Sequence, residues 1–311
     1  MSKDVPPLPM ELLEVEVAAT CKQYRIEPEV ARKILEGIFS KHPILLQKIA
    51  AHYPGKDVTR FGDYKAVIKE ARKQVYYHLR QYHRGKEQQT QLKAKLTSLV
   101  HASAPPEQVK QVTDELLLTH ISTQERFSQY QAFYNGLFAI VPRVQTIIDV
   151  GCGIHPLSYP FHREGRKTDL YVAIDKDQQA IDILTTFSRH VLPAQLIPRR
   201  ANIAQLEQKD YLVNGVDYYD LAFMLKLIPV ISRQEKELLL KLIEVPAHKI
   251  LLMASTTAMT RTDKIAMRED WVLRQFINMT GRPILEHFQI ENEFGYLLGE
   301  PSGSSAPSAL R

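Results

Sequence analysis

The stretch TIIDVGCGIHPLSYPF, residues 146–161, places an acid, Asp149, two residues before the first of two glycines, Gly151 and Gly153. Asp149 closes an apolar run that reads as a buried strand. Glycine just past a strand removes side chains and lets the backbone approach a ligand. In an open parallel sheet, ligands bind beyond the carboxyl ends of the strands, where this turn falls. A dinucleotide would call for G-x-G-x-x-G, whose third glycine permits close helix packing. Pro156 stands at that third place, which argues against a pyrophosphate loop. The chain also has no G-x-x-x-x-G-K-[ST] phosphate loop.

The other ligand suited to such a turn is a nucleoside without a pyrophosphate. Asp175 ends the next apolar run, LYVAID, 24 residues beyond Gly151. An ionised carboxylate offers two acceptor oxygens, enough for both hydroxyls of a ribose. D-x-G-x-G followed by an acid at the end of the next strand is the layout of enzymes that use S-adenosyl-L-methionine. Cys152, between the glycines, reads as a small turn residue, since no His or Asp is visibly placed to activate its thiol.

The elements needed to hold these residues are legible from residue 145 onward. Apolar runs alternate with helical patterns: TIIDV, LYVAID, AQLIPRRAN, YDLAFMLKLI and KILLMAS as strands, KDQQAIDILTTFSRHV and SRQEKELLLKLIEV as helices. That alternation predicts a parallel sheet covered on both faces. ILEHFQI and FGYLL follow with no helix between them and predict an antiparallel edge hairpin. Residues 10–120 read mostly as helices with apolar residues at three-four spacing. In STQERFSQYQAFYNGLFAIV, Ser122 and Glu125 fit a capping box, and Phe127, Tyr130, Phe133, Tyr134, Leu137 and Phe138 form an apolar helical face. The expected division is a helical domain over 1–120, an α/β domain over 121–298 and a disordered tail over 299–311.

The chain has 311 residues, 44% hydrophobic and 24% charged, the balance of a globular protein. It has no apolar run long enough for a membrane span, and its acidic, Pro-rich start lacks the layout of a signal peptide. A cytoplasmic protein is expected. Two cysteines are too few for a disulfide framework or a zinc site. The net charge is +5, yet residues 60–95 hold ten Lys and Arg against three acids. Within that segment Lys65, Lys69, Arg72 and Lys73 recur at helical spacing, a stripe suited to a phosphate backbone.

HISTQERFSQYQAFYNGLF, IIDVGCGIHPLSYPF, DLAFMLKLIPVI and ENEFGYLL, in this order, resemble the aminoglycoside-resistance 16S ribosomal RNA methyltransferases that modify N7 of guanine-1405. The resemblance covers about residues 100–298, and the preceding helices match more loosely as an RNA-docking domain. It implies a Rossmann-like class I methyltransferase fold with an amino-terminal helical domain, and S-adenosyl-L-methionine as cofactor. Arg126 resembles the arginine that grips the methionine carboxylate, a two-point fork suited to guanidinium. Asp149, Gly151 and Gly153 belong to the cofactor segment, the glycines beside the methionine moiety, and Asp175 holds the ribose. Asn202 and Ile203 fall where the family has an Asp-Leu pair beside the adenine. Leu225 and Lys226 match the L-L-K segment facing cofactor and target base, and Lys226 is the expected catalytic residue. The family's S-F-P-T-R-S segment has no clear counterpart: the chain reads MASTTAMTRTDKIAMRED, where Ser255, Thr257 and Arg261 are the nearest equivalents.

The implied chemistry needs no general base, because N7 of guanine carries a free lone pair. The implied partner is 16S rRNA in the 30S subunit, met by a monomer. A flipped base would need a stacking side chain, for which Tyr159, Phe161 and Trp271 are candidates. Two rival readings remain at this point: a methyltransferase for another RNA base or a small molecule, and a non-catalytic RNA-binding homologue.

Overall fold

The computed structural model describes residues 6–24, 26–81, 86–161, 168–191, 195–256 and 265–301. Thr257 and Arg261, and the tail from 302 onward, lie outside them. The chain forms two compact units, one within residues 1–83, the other over 84–259 and 263–311.

The first unit contains α1 (Met10–Tyr24), α2 (Pro28–Phe39), α3 (Pro43–His52) and α4 (Gly62–Gln81). Proline opens α2 and α3, where its missing N–H costs nothing. On α4, Tyr64, Val67, Ile68, Ala71 and Val75 are buried, the three-four spacing of one helical face. Lys65, Lys69, Arg72 and Lys73 are exposed. Leu35, Phe39, Leu46 and Ile49 complete the core under the buried face.

The second unit opens with α5 (Lys86–His101), α6 (Pro106–Thr119), α7 (Ile121–Gln124) and α8 (Tyr130–Ile140). The α/β alternation follows: β1 (Thr146–Val150), β2 (Leu170–Asp175), α9 (Gln178–Ser188), β3 (Leu196–Arg200), α10 (Gln208–Tyr211), β4 (Tyr219–Leu225), α11 (Leu227–Gln234), α12 (Leu238–Ile243), β5 (Ala247–Ser255), α13 (Ala266–Thr280), β6 (Ile284–Ile290) and β7 (Glu293–Leu298). The compact units divide at 83/84, whereas the sequence pattern suggested 120. Leu92 and Leu96 of α5 and Val109, Val112 and Leu116 of α6 pack into the same core as the sheet.

The seven strands lie in the order β3-β2-β1-β4-β5-β7-β6. The first five are parallel, and β7 runs antiparallel between β5 and β6. The expected hairpin is present, with β6 at the edge. Alternate residues face opposite sides. Ile147, Tyr171, Phe223 and Leu251 join the core under α5, α6, α8 and α9. Ile148, Val172, Ala222 and Leu252 join the core under α11, α12 and α13. This is the expected α/β class. The chain reverses direction between β1 and β4, the place where doubly wound sheets bind ligands.

Two boundaries differ from the sequence pattern. YDLAFMLKLI does not continue as a strand, because Lys226 adopts φ 60° and breaks it; LIPVISRQ then turns helical, with Pro229 in the first turn. The segment from Ser122 is not one helix either. It forms α7, a turn and α8; Ser122 falls inside α7 and Glu125 beyond its end, so the pair does not stand at a helix start, and Glu125 bonds to Lys226. Among the described residues, no helix is long and apolar enough to cross a membrane.

Candidate functional site

The glycine turn leaves β1 at the reversal point. Gly151 and Gly153 have φ of 69° and 53°, a left-handed conformation costly for other residues. Gly151 N and Cys152 N both donate to Ile174 O, at 2.8 and 3.1 Å, which ties the turn to the end of β2. A Cβ on Gly151 would come within 2.7 Å of Leu227 Cδ1, whereas one on Gly153 would meet nothing within 4 Å. At 151 the positive φ favours glycine and a Cβ would also have to displace the Leu227 side chain; at 153 the missing side chain leaves room for another molecule.

Asp175 is held beside that room. Its Oδ2 accepts from Gly153 N at 2.7 Å and its Oδ1 from Asp177 N at 2.9 Å. Burial raises its pKa, and these two backbone bonds oppose the rise. Each oxygen has taken one donor, and each retains acceptor capacity for one hydroxyl of a ribose. The donor set therefore fits an adenosyl group. Asn202 lies just past β3, exposed, with its side-chain oxygen capping Ala204 N at 3.1 Å. Ile203 beside it is buried. Ala201 N donates to Asp175 O at 2.9 Å, so the fold brings Asn202 and Ile203 to the same rim as Asp175.

A second cluster forms where β4, β5 and β7 end at this rim. Because β7 is antiparallel, its first residue, Glu293, pairs in register with the last residue of β5, Ser255. Leu225 ends β4, half-buried and paired with Met253. Lys226 N donates to Met253 O at 2.8 Å. Its ammonium donates to Ser122 O at 3.1 Å and Glu125 Oε2 at 2.5 Å, and forms an ion pair with Glu293 Oε1 at 2.8 Å. Ser255 Oγ reaches Glu125 Oε2 at 3.4 Å. Lys226 Nζ thus lies within 3.1 Å of three protein oxygens, two of them hydrogen-bonded to it and the third an ion-pair partner.

Arg126 is 3% exposed and Glu293 0%. Arg126 Nε donates to Glu293 Oε2 at 2.9 Å, Nη2 bonds to the same oxygen, and the guanidinium lies 5.0 Å over the Phe133 ring. Burial alone would raise the Glu293 pKa; the charges of Arg126 and Lys226 outweigh it and hold the carboxyl below its ordinary range. Arg126 thus meets a carboxylate supplied by the chain itself, through Nε and Nη2; among the described residues no hydrogen bond is made by Nη1.

Asp149 faces the α8 side of the sheet with Ile147. It is 1% exposed, and its Oδ2 accepts from His155 Nδ1 and Tyr171 OH, each at 2.8 Å. His155 Nε2 lies 3.0 Å from Tyr134 OH. Burial lowers the His155 pKa, only partly opposed by Asp149. Burial, and then the nearby Asp149, push the Cys152 thiol well up. Neither group is poised as a nucleophile or base.

Of the stacking candidates, Tyr159 and Phe161 belong to the core, whereas Trp271 on α13 is 61% exposed. Glu125, Glu293, Tyr134 and Tyr171 were not singled out as site residues by sequence. ENEFGYLL did mark the segment of Glu293, but only the strand order shows what that acid meets.

The strand order and the turn at the reversal point define the class I methyltransferase fold. The chain belongs to the ribosomal RNA methyltransferase (FmrO) family, whose profile matches residues 41–271. It is similar to a 16S rRNA (guanine(1405)-N(7))-methyltransferase of Proteus mirabilis, 22% identical over 299 residues, covering 93% of this chain and 96% of that one. An enzyme of the same name from Micromonospora rosea is 30% identical over 118 residues, 38% of this chain and 39% of that one. Among solved structures, the 16S rRNA methylase RmtB superposes with a TM-score of 0.52 at 17% identity, covering 94% of this chain and 100% of that one. The 16S rRNA methyltransferase RmtF, solved in complex with S-adenosyl-L-homocysteine, gives 0.54 at 15% identity, covering 94% and 100%.

Proposed function

We propose that this protein transfers the methyl group of S-adenosyl-L-methionine to N7 of guanine-1405 in the 16S rRNA of the 30S subunit, and so confers aminoglycoside resistance. The observation that carries the reading is the Gly153–Asp175 cradle, an open backbone turn joined at 2.7 Å to a half-buried carboxylate. Family membership supports the RNA substrate. The near full-length likeness to the Proteus mirabilis enzyme supports the base and atom.

The cofactor supplies an activated methyl on a sulfonium sulfur. Asp175 would accept the ribose hydroxyls, the backbone at Gly153 would pass beside the methionine chain, and Asn202 and Ile203 would flank the adenine. Arg126 would offer Nη1 to the methionine carboxylate while Glu293 fixes the guanidinium. Lys226, which the resemblance makes the catalytic residue, would act in this reading as a positioning residue, holding Glu125 and Glu293 together at the end of β4. Because N7 brings its own lone pair and the sulfonium would leave as a neutral thioether, no residue of the chain would need to take or give a proton. The chain's contribution is alignment and exclusion of water, consistent with His155 and Cys152 both being turned inward.

The exposed Lys65, Lys69, Arg72 and Lys73 of α4 would meet rRNA phosphates, with a monomer acting on one 30S particle. Transfer of labelled methyl from S-adenosyl-L-methionine to purified 30S subunits tests the reading. It predicts incorporation that Asp175→Ala abolishes; a wild-type protein inert on 30S would overturn it.

A further inference from the structure

His155 is buried to 4% exposure and so has no access to a substrate, yet both of its ring nitrogens are engaged. Asp149 can only accept, so Nδ1 carries the proton and donates at 2.8 Å. Nε2 is then the acceptor for the Tyr134 hydroxyl at 3.0 Å. The Asp149–His155 bond closes a loop of chain that contains Gly151, Cys152 and Gly153. His155 N donates to Cys152 O at 3.0 Å within that loop. The ring is further boxed by Phe223, edge-on at 5.5 Å, and by Tyr134, stacked at 6.2 Å. Tyr134 stands on α8, eight residues beyond Arg126.

We propose that His155 is a positioning residue for cofactor binding: its ring clamps the glycine turn to Asp149 on one side and to α8 on the other. The inference rests on the reading of the Gly153–Asp175 cradle as the cofactor site. Asp149 then acts through His155 and has no direct contact with the cofactor. Gly153 N must point at Asp175 for the carboxylate to be held, and the left-handed turn that points it there is the loop this bond closes. Loss of the imidazole leaves Asp149 with Tyr171 as its one donor among the described residues, because Oδ1 has none. A buried carboxylate short of donors drives rearrangement, and the turn is the nearest segment able to move.

The test compares His155→Ala, His155→Asn and Tyr134→Phe by calorimetric titration with S-adenosyl-L-methionine and S-adenosyl-L-homocysteine. Asparagine places its amide nitrogen where Nδ1 stands, two bonds beyond Cβ, and keeps the donor to Asp149. His155→Ala is expected to weaken both ligands by about tenfold or more, a difference of about 1.4 kcal/mol. His155→Asn should restore most of that affinity, and Tyr134→Phe should fall between. KM for 30S subunits at saturating cofactor should stay near the wild-type value in all three. Hydrogen exchange of the ligand-free protein should quicken over residues 150–156 in His155→Ala and not in His155→Asn. If the alanine variant cannot be purified, the asparagine and phenylalanine variants decide. Equal loss of affinity in His155→Asn and His155→Ala, or unchanged affinity in every variant obtained, overturns the clamp. Wild-type protein that binds neither ligand overturns the cofactor site and the clamp with it.

Discussion

Arg126 Nε donates to Glu293 Oε2 at 2.9 Å, joining the segment before α8 to the first residue of β7 across 167 positions of chain. Lys226 reaches the other oxygen of the same carboxylate at 2.8 Å, so one buried acid balances two cations at the rim of the sheet. Removing one partner of a buried pair costs about 3–5 kcal/mol, because the other charge stays behind uncompensated. Glu293→Ala is therefore expected to lower unfolding stability by an amount in that range. Urea denaturation at neutral pH checks this, and a loss no larger than that of an ordinary surface substitution would contradict it.

The two glycines should respond differently to alanine. Both sit at positive φ, where a side chain costs about 1–2 kcal/mol. At Gly151 the new Cβ also meets Leu227 Cδ1 at 2.7 Å, and at Gly153 it meets nothing within 4 Å. Gly151→Ala should lose more stability than Gly153→Ala. Gly153→Ala should instead lose cofactor affinity out of proportion to its stability, because the added methyl enters the cradle beside Asp175. Paired melting curves and cofactor titrations would show the split; equal losses by both measures would refute it.

His155 sets the sign of one pH dependence. Burial holds its pKa below the unfolded value of about 6.5. Between the folded and unfolded values the unfolded chain binds more protons, so stability rises with pH. The contribution is complete above about 6.5 and is lost as pH falls toward the folded value, by at most about 1.4 kcal/mol per unit. A difference curve between wild type and His155→Asn isolates it from the carboxylates. That curve should be flat above about 6.5 and fall below it; a rise on acidification would mean that His155 is charged in the fold.

The strands were legible because their apolar runs are short, bounded and rich in residues that both cores bury, as in TIIDV and LYVAID. The Gly-x-Gly turn and Asp175 were legible because their chemistry is local to strand ends. Lys226 was readable as part of the L-L-K segment, but not as a left-handed break that starts α11. Ser122 and Glu125 fit a capping box locally. In the fold Ser122 falls inside α7 and Glu125 beyond its end, bonded to Lys226 and Ser255, residues more than a hundred positions away. Glu293 becomes part of the site only once β7 inserts antiparallel beside β5, and no period in the sequence states that order. Tyr159 and Phe161 looked available for stacking because an aromatic after a turn carries no mark of burial.

The exposed cations of α4 carry the proposed contact with rRNA phosphates. Lys65→Ala and Lys69→Ala should each weaken 30S binding and lower the slope of log affinity against log salt by about 1 for each phosphate no longer neutralised. Cofactor affinity should not change. Binding measured across a salt series checks both statements, and an unchanged slope would remove α4 from the interface.

The central claim is the identity of the methylated atom. The most direct measurement locates 7-methylguanine after reaction with 30S subunits, by borohydride reduction, aniline cleavage and primer extension along 16S rRNA. A single stop at guanine-1405, absent without cofactor and absent with Asp175→Ala, is the result predicted. Efficient methyl incorporation with no cleavage at guanine-1405 would contradict it.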